Sequence, residues 1–172
     1  MTPAATPADV WIIATLVGGT GSAAVIDIAR RRIPNVASFG LAAAGIVLAA
    51  SGVSGVTLRA SVAGFAVALI LMLPGHVLGA TGAGDVKLFA AAGAVLGIGR
   101  VFDAFLFVAL AGGLLAIGVA WQRGRLARTL AQTARLCGQP TEIRKTIDAP
   151  NEHNRFPYGP AIAVGTVLAA LL

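Results

Sequence analysis

The sequence predicts an all-α membrane protein, a bundle of about six transmembrane helices with the N-terminus and the C-terminus both outside. Hydrophobic residues make up 57% of its 172 residues and charged residues only 12%, and the mean hydropathy is +0.85. A soluble domain carries about a quarter charged residues, because water must solvate its surface. Several apolar runs approach the length of about 20 residues that a helix needs to cross a bilayer. Lipid is therefore the expected main solvent.

Six apolar segments, separated by short polar or glycine-rich links, are the predicted spans. They cover residues 10–28, 36–52, 56–78, 86–99, 101–121 and 156–172. The fourth segment is short and the third contains Pro74 and His76, so either could be broken, tilted or partly re-entrant. We expect a single domain over residues 1–172.

The polar stretch 122–155 is predicted to be a basic cytoplasmic loop. Its alternation of basic and apolar residues favours an amphipathic helix that lies on anionic membrane lipid. A nucleic-acid site is less favoured, because the stretch lacks interleaved aromatic residues for stacking on bases. Whether this loop contacts lipid or a substrate stays open, as does the oligomeric state.

The distribution of Lys and Arg predicts the orientation of the spans. With the N-terminus outside, the three cytoplasmic loops hold three, one and seven of the 13 basic residues, and only Arg59 and Arg100 fall elsewhere. Such a bias is typical of membrane proteins, and it also accounts for the net charge of +6 without a nucleic-acid partner. No second cysteine accompanies Cys137, and no His or Cys pair has metal-ligand spacing, so we expect no metal and no other cofactor.

Four acidic residues lie in or beside the predicted spans, and two of them have a simple structural explanation. Asp9 precedes the first span and is expected to act as an N-cap, and Asp103 is expected to be a cap or an interfacial partner of Arg100. Asp27 and Asp85 lie at the cytoplasmic ends of the first and fourth spans. A carboxylate near hydrocarbon is costly, so each is a functional candidate.

Asp27 and Asp85 lie at the same predicted depth and could converge. If they do, repulsion between like charges favours one ionised and one protonated carboxyl group. Such a pair can hydrolyse a peptide, because the ionised group takes a proton from water while the protonated group polarises the scissile carbonyl. Gly82 and Gly84 precede Asp85 and allow close backbone approaches that a Cβ would forbid. Found alone, this string would be better explained as a turn with a capping aspartate.

Three motifs resemble those of type IV prepilin leader peptidases. Residues 27–35 (DIARRRIPN) are similar to the first aspartate motif of that family, and residues 79–88 (GATGAGDVKL) to its GxGD motif followed by Val-Lys-Leu. Residues 156–165 (FPYGPAIAVG) are similar to its last-helix signature. The resemblance implies a GxGD aspartyl protease whose catalytic pair is Asp27 and Asp85. It further implies cleavage of a charged prepilin or pseudopilin leader at the cytoplasmic face of the bacterial inner membrane.

The resemblance also bears on a second activity. Larger members of the family carry an extra cytoplasmic region near the N-terminus and also N-methylate the new N-terminus of the pilin. Here the second apolar run begins at Val36, directly after the first motif. A peptidase-only form is therefore expected, similar to the enzymes of tight-adherence (Flp-type) pilus systems.

Four further residues are candidates for binding substrate or shaping the site. Lys87 could pair with Asp85 or with substrate, or could simply extend to the membrane surface. Asn35 is favoured as a cap of the second helix over a substrate contact. Pro157 and Gly159 are favoured as residues that shape the start of the last helix.

Two other functions are compatible with intramembrane aspartates. One is a proton-coupled transporter. It is disfavoured because both aspartates lie near one membrane face and no inverted repeat is evident. The other is a non-catalytic assembly subunit with the same fold, which retention of both aspartates disfavours.

Overall fold

Every regular element in the part of the chain that the structure describes is an α-helix. This computed structural model describes residues 6–79, 81–122 and 158–172. Its six helices are α1 (Pro7–Arg30), α2 (Asn35–Ser51), α3 (Leu58–Val77), α4 (Ala83–Leu96), α5 (Ile98–Gln122) and α6 (Gly159–Ala170). The predicted all-α bundle is confirmed, and the helix ends differ from the predicted ends by a few residues. Apart from Gln122, the predicted loop 122–155 and its amphipathic helix lie outside the described residues.

The outer faces of the helices carry the apolar surface of a membrane protein. Three helices are long and apolar enough to cross a membrane, namely α1, α3 and Ile98–Gly118 of α5, while α2 and α6 are apolar but shorter. Large apolar side chains such as Val25 and Ile70 are exposed on these faces. A soluble protein rarely exposes so much contiguous apolar surface, whereas acyl chains solvate it well. The chain is a membrane protein.

By its internal contacts the chain divides into two units. The first comprises residues 1–112 and 157–172, which hold α1 to α4, the first part of α5, and α6. The second comprises residues 113–156, of which the end of α5 is the described part. The expectation of one domain over the whole chain stays a prediction.

The central helix of the first unit is α4. From Asp85 to Leu96 every residue except Lys87 is buried, and α4 packs against α1, α2, α3 and α6. A helix that is apolar on all sides is typical of a core. Its 14 residues extend about 21 Å, less than the thickness of about 30 Å of a hydrocarbon core. Because protein surrounds it, α4 does not need the length of a lipid-facing span.

Glycines allow α2 and α3 to approach α4 at backbone distance. A Cβ on Gly64 of α3 would lie 2.8 Å from the carbonyl carbon of Gly97, and one on Gly45 of α2 would lie 2.9 Å from the backbone nitrogen of Val95. Ser61 of α3 adds a hydrogen bond of 2.7 Å from its hydroxyl to the Ala94 carbonyl oxygen. Small residues at crossing points are the usual means of packing helices in a membrane.

Two predicted helix boundaries differ from the structure. The fourth predicted span began three residues late and extended beyond Gly97, where a φ of +72° ends α4 and a new helix begins at Ile98. The possible break in the third span does not occur, since α3 continues through Pro74 to Val77. Pro74 lies close enough to the C-terminal end that only the last turn is affected.

An ion pair joins α1 to α5 at the end of the bundle remote from Asp27 and Asp85, and its two residues are not the predicted pair. Thr6 is the N-cap of α1, and Asp9 is the third residue of a capping box, in which the Thr6 N–H donates to Asp9 Oδ2 at 3.1 Å. Arg100 donates to Asp9 Oδ1 at 2.9 Å. The predictions of Asp9 as N-cap and of Asp103 as the partner of Arg100 are therefore wrong. The observed pair joins the start of α1 to the start of α5.

The backbone contact at Gly64 leads to a stability prediction. In Gly64→Ala the new methyl group would meet only backbone atoms, which cannot rotate away, so overpacking should cost about 1–3 kcal/mol. We expect a lower thermal unfolding temperature of the detergent-solubilised protein. Gly40→Ala in α2 is the matched control, because a Cβ there has no neighbour within 4 Å, and its unfolding temperature should stay level or rise. Equal behaviour of the two variants would contradict the close crossing of α3 and α4.

Candidate active site

The first predicted catalytic residue, Asp27, lies on the protein-facing side of α1. The buried residues of α1 recur three or four positions apart, as one stripe of a helix requires; they are Ile12, Leu16, Thr20, Ala23, Ala24 and Asp27. Asp27 is only 5% exposed. Its carboxylate therefore lies against other helices and not against lipid, where it would have no partner.

The partner of Asp27 is the backbone at the start of α6. The N–H of Gly159, the first residue of α6, donates to Asp27 Oδ2 at 3.0 Å. The first N–H groups of a helix have no acceptor within the helix, so they are available to a carboxylate. A Cβ on residue 159 would lie 2.9 Å from that same oxygen and 3.1 Å from Asp27 Cβ. Only glycine permits this approach of α6 to α1.

The second predicted catalytic residue, Asp85, is held in the same way. It is the third residue of α4 and 9% exposed, and its Oδ2 accepts a hydrogen bond of 2.9 Å from the Gly82 N–H. A Cβ on Gly82 would lie 3.0 Å from this oxygen. Gly84 packs against Ile33, whose Cβ would be 3.1 Å from a Cβ on residue 84. The two predicted glycines thus orient the carboxylate and fit the start of α4 against the loop between α1 and α2.

Residues 158 and 159 are held by two different helices. Gly159 binds Asp27 of α1, and the adjacent Tyr158 lies against α5. The Tyr158 ring packs on Gly112 of α5, and its hydroxyl donates to the Val108 carbonyl oxygen at 3.4 Å. The start of α6 therefore contacts α1 through Gly159 and α5 through Tyr158.

Lys87 and Asn35 form a hydrogen bond with each other. Lys87 Nζ donates to Asn35 Oδ1 at 3.1 Å, which joins the exposed side of α4 to the first residue of α2. The N-cap of α2 is Pro34, so the predicted capping role of Asn35 is wrong. For Lys87 the structure adds this contact with Asn35, and the predicted pairing with Asp85 or with substrate stays a prediction.

The remaining residues around the site have structural contacts. His76 Nδ1 lies 3.1 Å from the Thr81 carbonyl oxygen, and the Thr81 N–H donates to the Gly75 carbonyl at 3.2 Å, so the turn before Gly82 folds back on the end of α3. Pro157 lies outside the described residues. Within the described ranges, no three His, Cys, Asp or Glu side chains are grouped as metal ligands.

Sequence reasoning missed the role of Tyr158. Its aromatic ring was visible only as part of the last-helix signature, and nothing in the spacing related it to Val108 and Gly112 of α5. The signal that could have found it is its position directly before Gly159, because a residue beside a helix start shares the surroundings of the first N–H groups.

A comparison with family models decides the class of protein. The model of the type IV leader peptidase family matches residues 14–117, more than half of the chain, and this range contains both Asp27 and Asp85. The chain belongs to the type IV leader peptidase family. It is accordingly a prepilin leader peptidase, an aspartic-type protease whose substrate is a prepilin in the membrane. No curated protein and no solved structure matched it.

An apolar groove of the peptidase runs along α1 and α6. It has a volume of about 300 Å³ and is lined by Val17, Thr20, Gly21, Ala163, Val164, Val167 and Leu168. Thr20 lies two turns of α1 from Asp27, about 10 Å along the helix, and Ala163 lies one turn from Gly159. The groove therefore lies on the same two helices as Asp27 and Gly159, and Gly21 and Ala163 are at the end nearer to them.

The contact between Gly159 and Asp27 leads to a prediction about activity. In the peptidase variant Gly159→Ala, the new methyl group would displace the Asp27 carboxylate, and a misplacement of about 1 Å can cost about 10²-fold in rate. Alanine suits a helix at least as well as glycine, so the fold should be retained. We expect a large loss of leader cleavage in membranes at an unchanged amount of inserted protein.

The control for this variant is Gly99→Ala in the first turn of α5. A Cβ on Gly99 would have no neighbour within 4 Å, so cleavage should proceed at the wild-type rate. Wild-type cleavage by Gly159→Ala would instead exclude the Gly159–Asp27 contact from the catalytic machinery.

Proposed function

We propose that Asp27 and Asp85 are the carboxylates with which this peptidase hydrolyses the leader junction of its prepilin. The observation that carries the proposal is their shared setting: both are buried, on different helices, and each accepts a hydrogen bond from a glycine N–H near a helix start. A carboxylate inside a membrane protein is costly and is rarely kept without a role. Two buried carboxylates on different helices of a peptidase are best explained by chemistry on a shared substrate.

The reaction follows from two carboxyl groups in opposite protonation states. The ionised group removes a proton from water while the water oxygen attacks the scissile carbonyl carbon, and the protonated group donates its proton to the carbonyl oxygen. The tetrahedral intermediate then collapses and the C–N bond breaks. The amine takes a proton from the carboxyl group that first received one, and a hydroxyl of the intermediate returns its proton to the other carboxylate as the carbonyl re-forms. The glycine N–H donors keep one oxygen of each carboxylate in place, which is the orientation that such transfers need.

The charges around the site support its location at the cytoplasmic face of the bacterial inner membrane. The exposed Arg30, Arg31 and Arg32 follow Asp27 directly, and the exposed Lys87 follows Asp85. Positive charge accumulates on the cytoplasmic side of multi-pass membrane proteins. The same bias favours a peptidase with six spans and both termini outside.

The short connection between α1 and α2 supports a peptidase-only enzyme of the Flp type. Only residues 31–34 join the two helices. This leaves no room there for the extra cytoplasmic region of the larger, methylating members. We therefore propose a Flp-like prepilin as substrate and no N-methyltransferase activity.

We further propose that the apolar segment of the prepilin packs in the groove along α1 and α6. The groove lies on the two helices that carry Asp27 and Gly159, and its lining is apolar except for the hydroxyl of Thr20. A membrane-embedded substrate helix that lies there would direct its cytoplasmic end to the carboxylates. The packing of helices in lipid depends on such shape complementarity, because apolar burial alone gives no driving force.

The catalytic assignment is tested by cleavage of a Flp-like prepilin co-expressed in membranes. Asp27→Asn and Asp85→Asn keep the volume and remove the ionisable group, so each should reduce leader removal by about 10²-fold or more. Asp103→Asn is the matched control, since Asp103 is an exposed aspartate near the other end of the bundle. Insertion and amount of each variant are measured in the same membranes.

Survival of cleavage in either variant would remove that aspartate from the mechanism. The mass of the mature pilin N-terminus, recorded from the same samples, tests the second part of the proposal. We expect an unmodified amine, and a mass increase of one methyl group would establish methyltransfer.

The proposed groove is tested by filling it. Gly21→Leu adds a side chain to the groove, and a Cβ on Gly21 has no neighbour within 4 Å, so the fold should tolerate it. We expect slower cleavage of the full-length prepilin through a raised KM. Gly18→Leu, also on α1 and also without a Cβ neighbour but outside the groove, should cleave normally. Equal rates for the two variants would place the substrate elsewhere.

A further inference from the structure

Two buried side-chain atoms in the described part of the chain have no hydrogen-bond partner, and both lie at the end of the bundle that holds the aspartates. They are Ser38 Oγ and Thr81 Oγ1. A buried polar atom without a partner is costly, so folded proteins keep few of them, and catalytic or binding sites are a common reason. Thr81 directly precedes Gly82, whose N–H binds Asp85. Ser38 is the more deeply buried residue of the two, at 3% exposure.

The position of Ser38 is fixed by the packing of α2. Ser38 belongs to the buried stripe that also contains Leu41 and Gly45. Gly45 abuts the backbone of α4, and Leu41 abuts Gly19 of α1. Ser38 therefore faces the interior between the two helices that carry the aspartates. It lies one turn, about 5 Å, from Asn35, whose side chain binds Lys87 at the start of α4.

Ser38 differs from other hydroxyl residues in these helices. A helical Ser or Thr commonly donates to a carbonyl one turn earlier. Thr20, Ser22 and Thr166 do so, with distances of 2.6, 2.9 and 2.7 Å. Ser38 makes no such bond. The helix thus keeps a donor and an acceptor in the apolar interior without using either.

A peptide that is cut inside a membrane protein needs such groups. Its scissile bond must leave the helix to reach two carboxylates, and the unwound residues then expose N–H and C=O groups in apolar surroundings. Those groups require partners. A serine hydroxyl can both donate and accept, so it fits a peptide backbone. We propose that Ser38 binds the unwound backbone of the prepilin next to the scissile bond, an inference that rests on the assignment of Asp27 and Asp85 above.

Two effects of opposite sign make Ser38→Ala a sharp test. Removal of an unpaired buried hydroxyl should leave the unfolding temperature unchanged or raise it. Loss of one substrate hydrogen bond should at the same time lower kcat/KM for prepilin cleavage by about tenfold. Ser38→Cys keeps the size but is a weaker donor, so its activity should lie between those of the wild type and Ser38→Ala.

Ser61→Ala is the control, because Ser61 is equally buried against α4 but its hydroxyl already binds Ala94. This variant should lower the unfolding temperature and leave cleavage per folded enzyme unchanged. Wild-type cleavage by Ser38→Ala would overturn the inference, and so would a loss of cleavage that only follows a fall in unfolding temperature. If Asp27→Asn and Asp85→Asn abolish cleavage in the same assay, such a result concerns Ser38 alone. Cleavage that survives the aspartate variants would remove both proposals.

Discussion

Each buried aspartate of this peptidase accepts a hydrogen bond from the backbone N–H of a glycine near a helix start, and much of the bundle is arranged around these two bonds. A carboxylate in apolar surroundings needs donors, and an N–H at a helix start supplies one without a second charged side chain. The glycines follow from this choice, because a Cβ at residue 82 or 159 would occupy the space next to the carboxylate oxygen.

The short central helix follows from the same constraint. Asp85 must point into the protein, so the start of α4 is enclosed by the loop after α1 and by the first residue of α2. Enclosure on all sides allows α4 to be shorter than the bilayer, and it demands small residues where α2 and α3 cross it. The two ends of the bundle differ as a result. One end gathers the carboxylates and unpaired hydroxyls, and the other is joined by the ion pair of Asp9 and Arg100.

Hydropathy was sufficient to place the helices, because a long apolar run in lipid must satisfy its own backbone hydrogen bonds and does so by forming a helix. A shared membrane depth for Asp27 and Asp85, which the distribution of basic residues predicts, stays a prediction. The hydrogen-bond partners of the polar side chains could not be predicted in this way. Arg100 binds Asp9, 91 positions away, and Lys87 binds Asn35, 52 positions away. Such contacts depend on which helices are neighbours, and a composition window carries no information about neighbours. The glycine N–H donor to Asp27 was likewise invisible, since a backbone donor has no side-chain signature. The motif resemblance identified the family, and the fold supplied the partners.

The bond between Asp27 and Gly159 joins residues 132 positions apart in the chain. Asp27 enters the membrane early in synthesis, but its donor does not exist until α6 has been made. During translation the first catalytic candidate is therefore present without its partner while α2 to α5 are inserted. The order of synthesis therefore leaves the Asp27 carboxylate without its Gly159 donor until α1 to α5 have all been made.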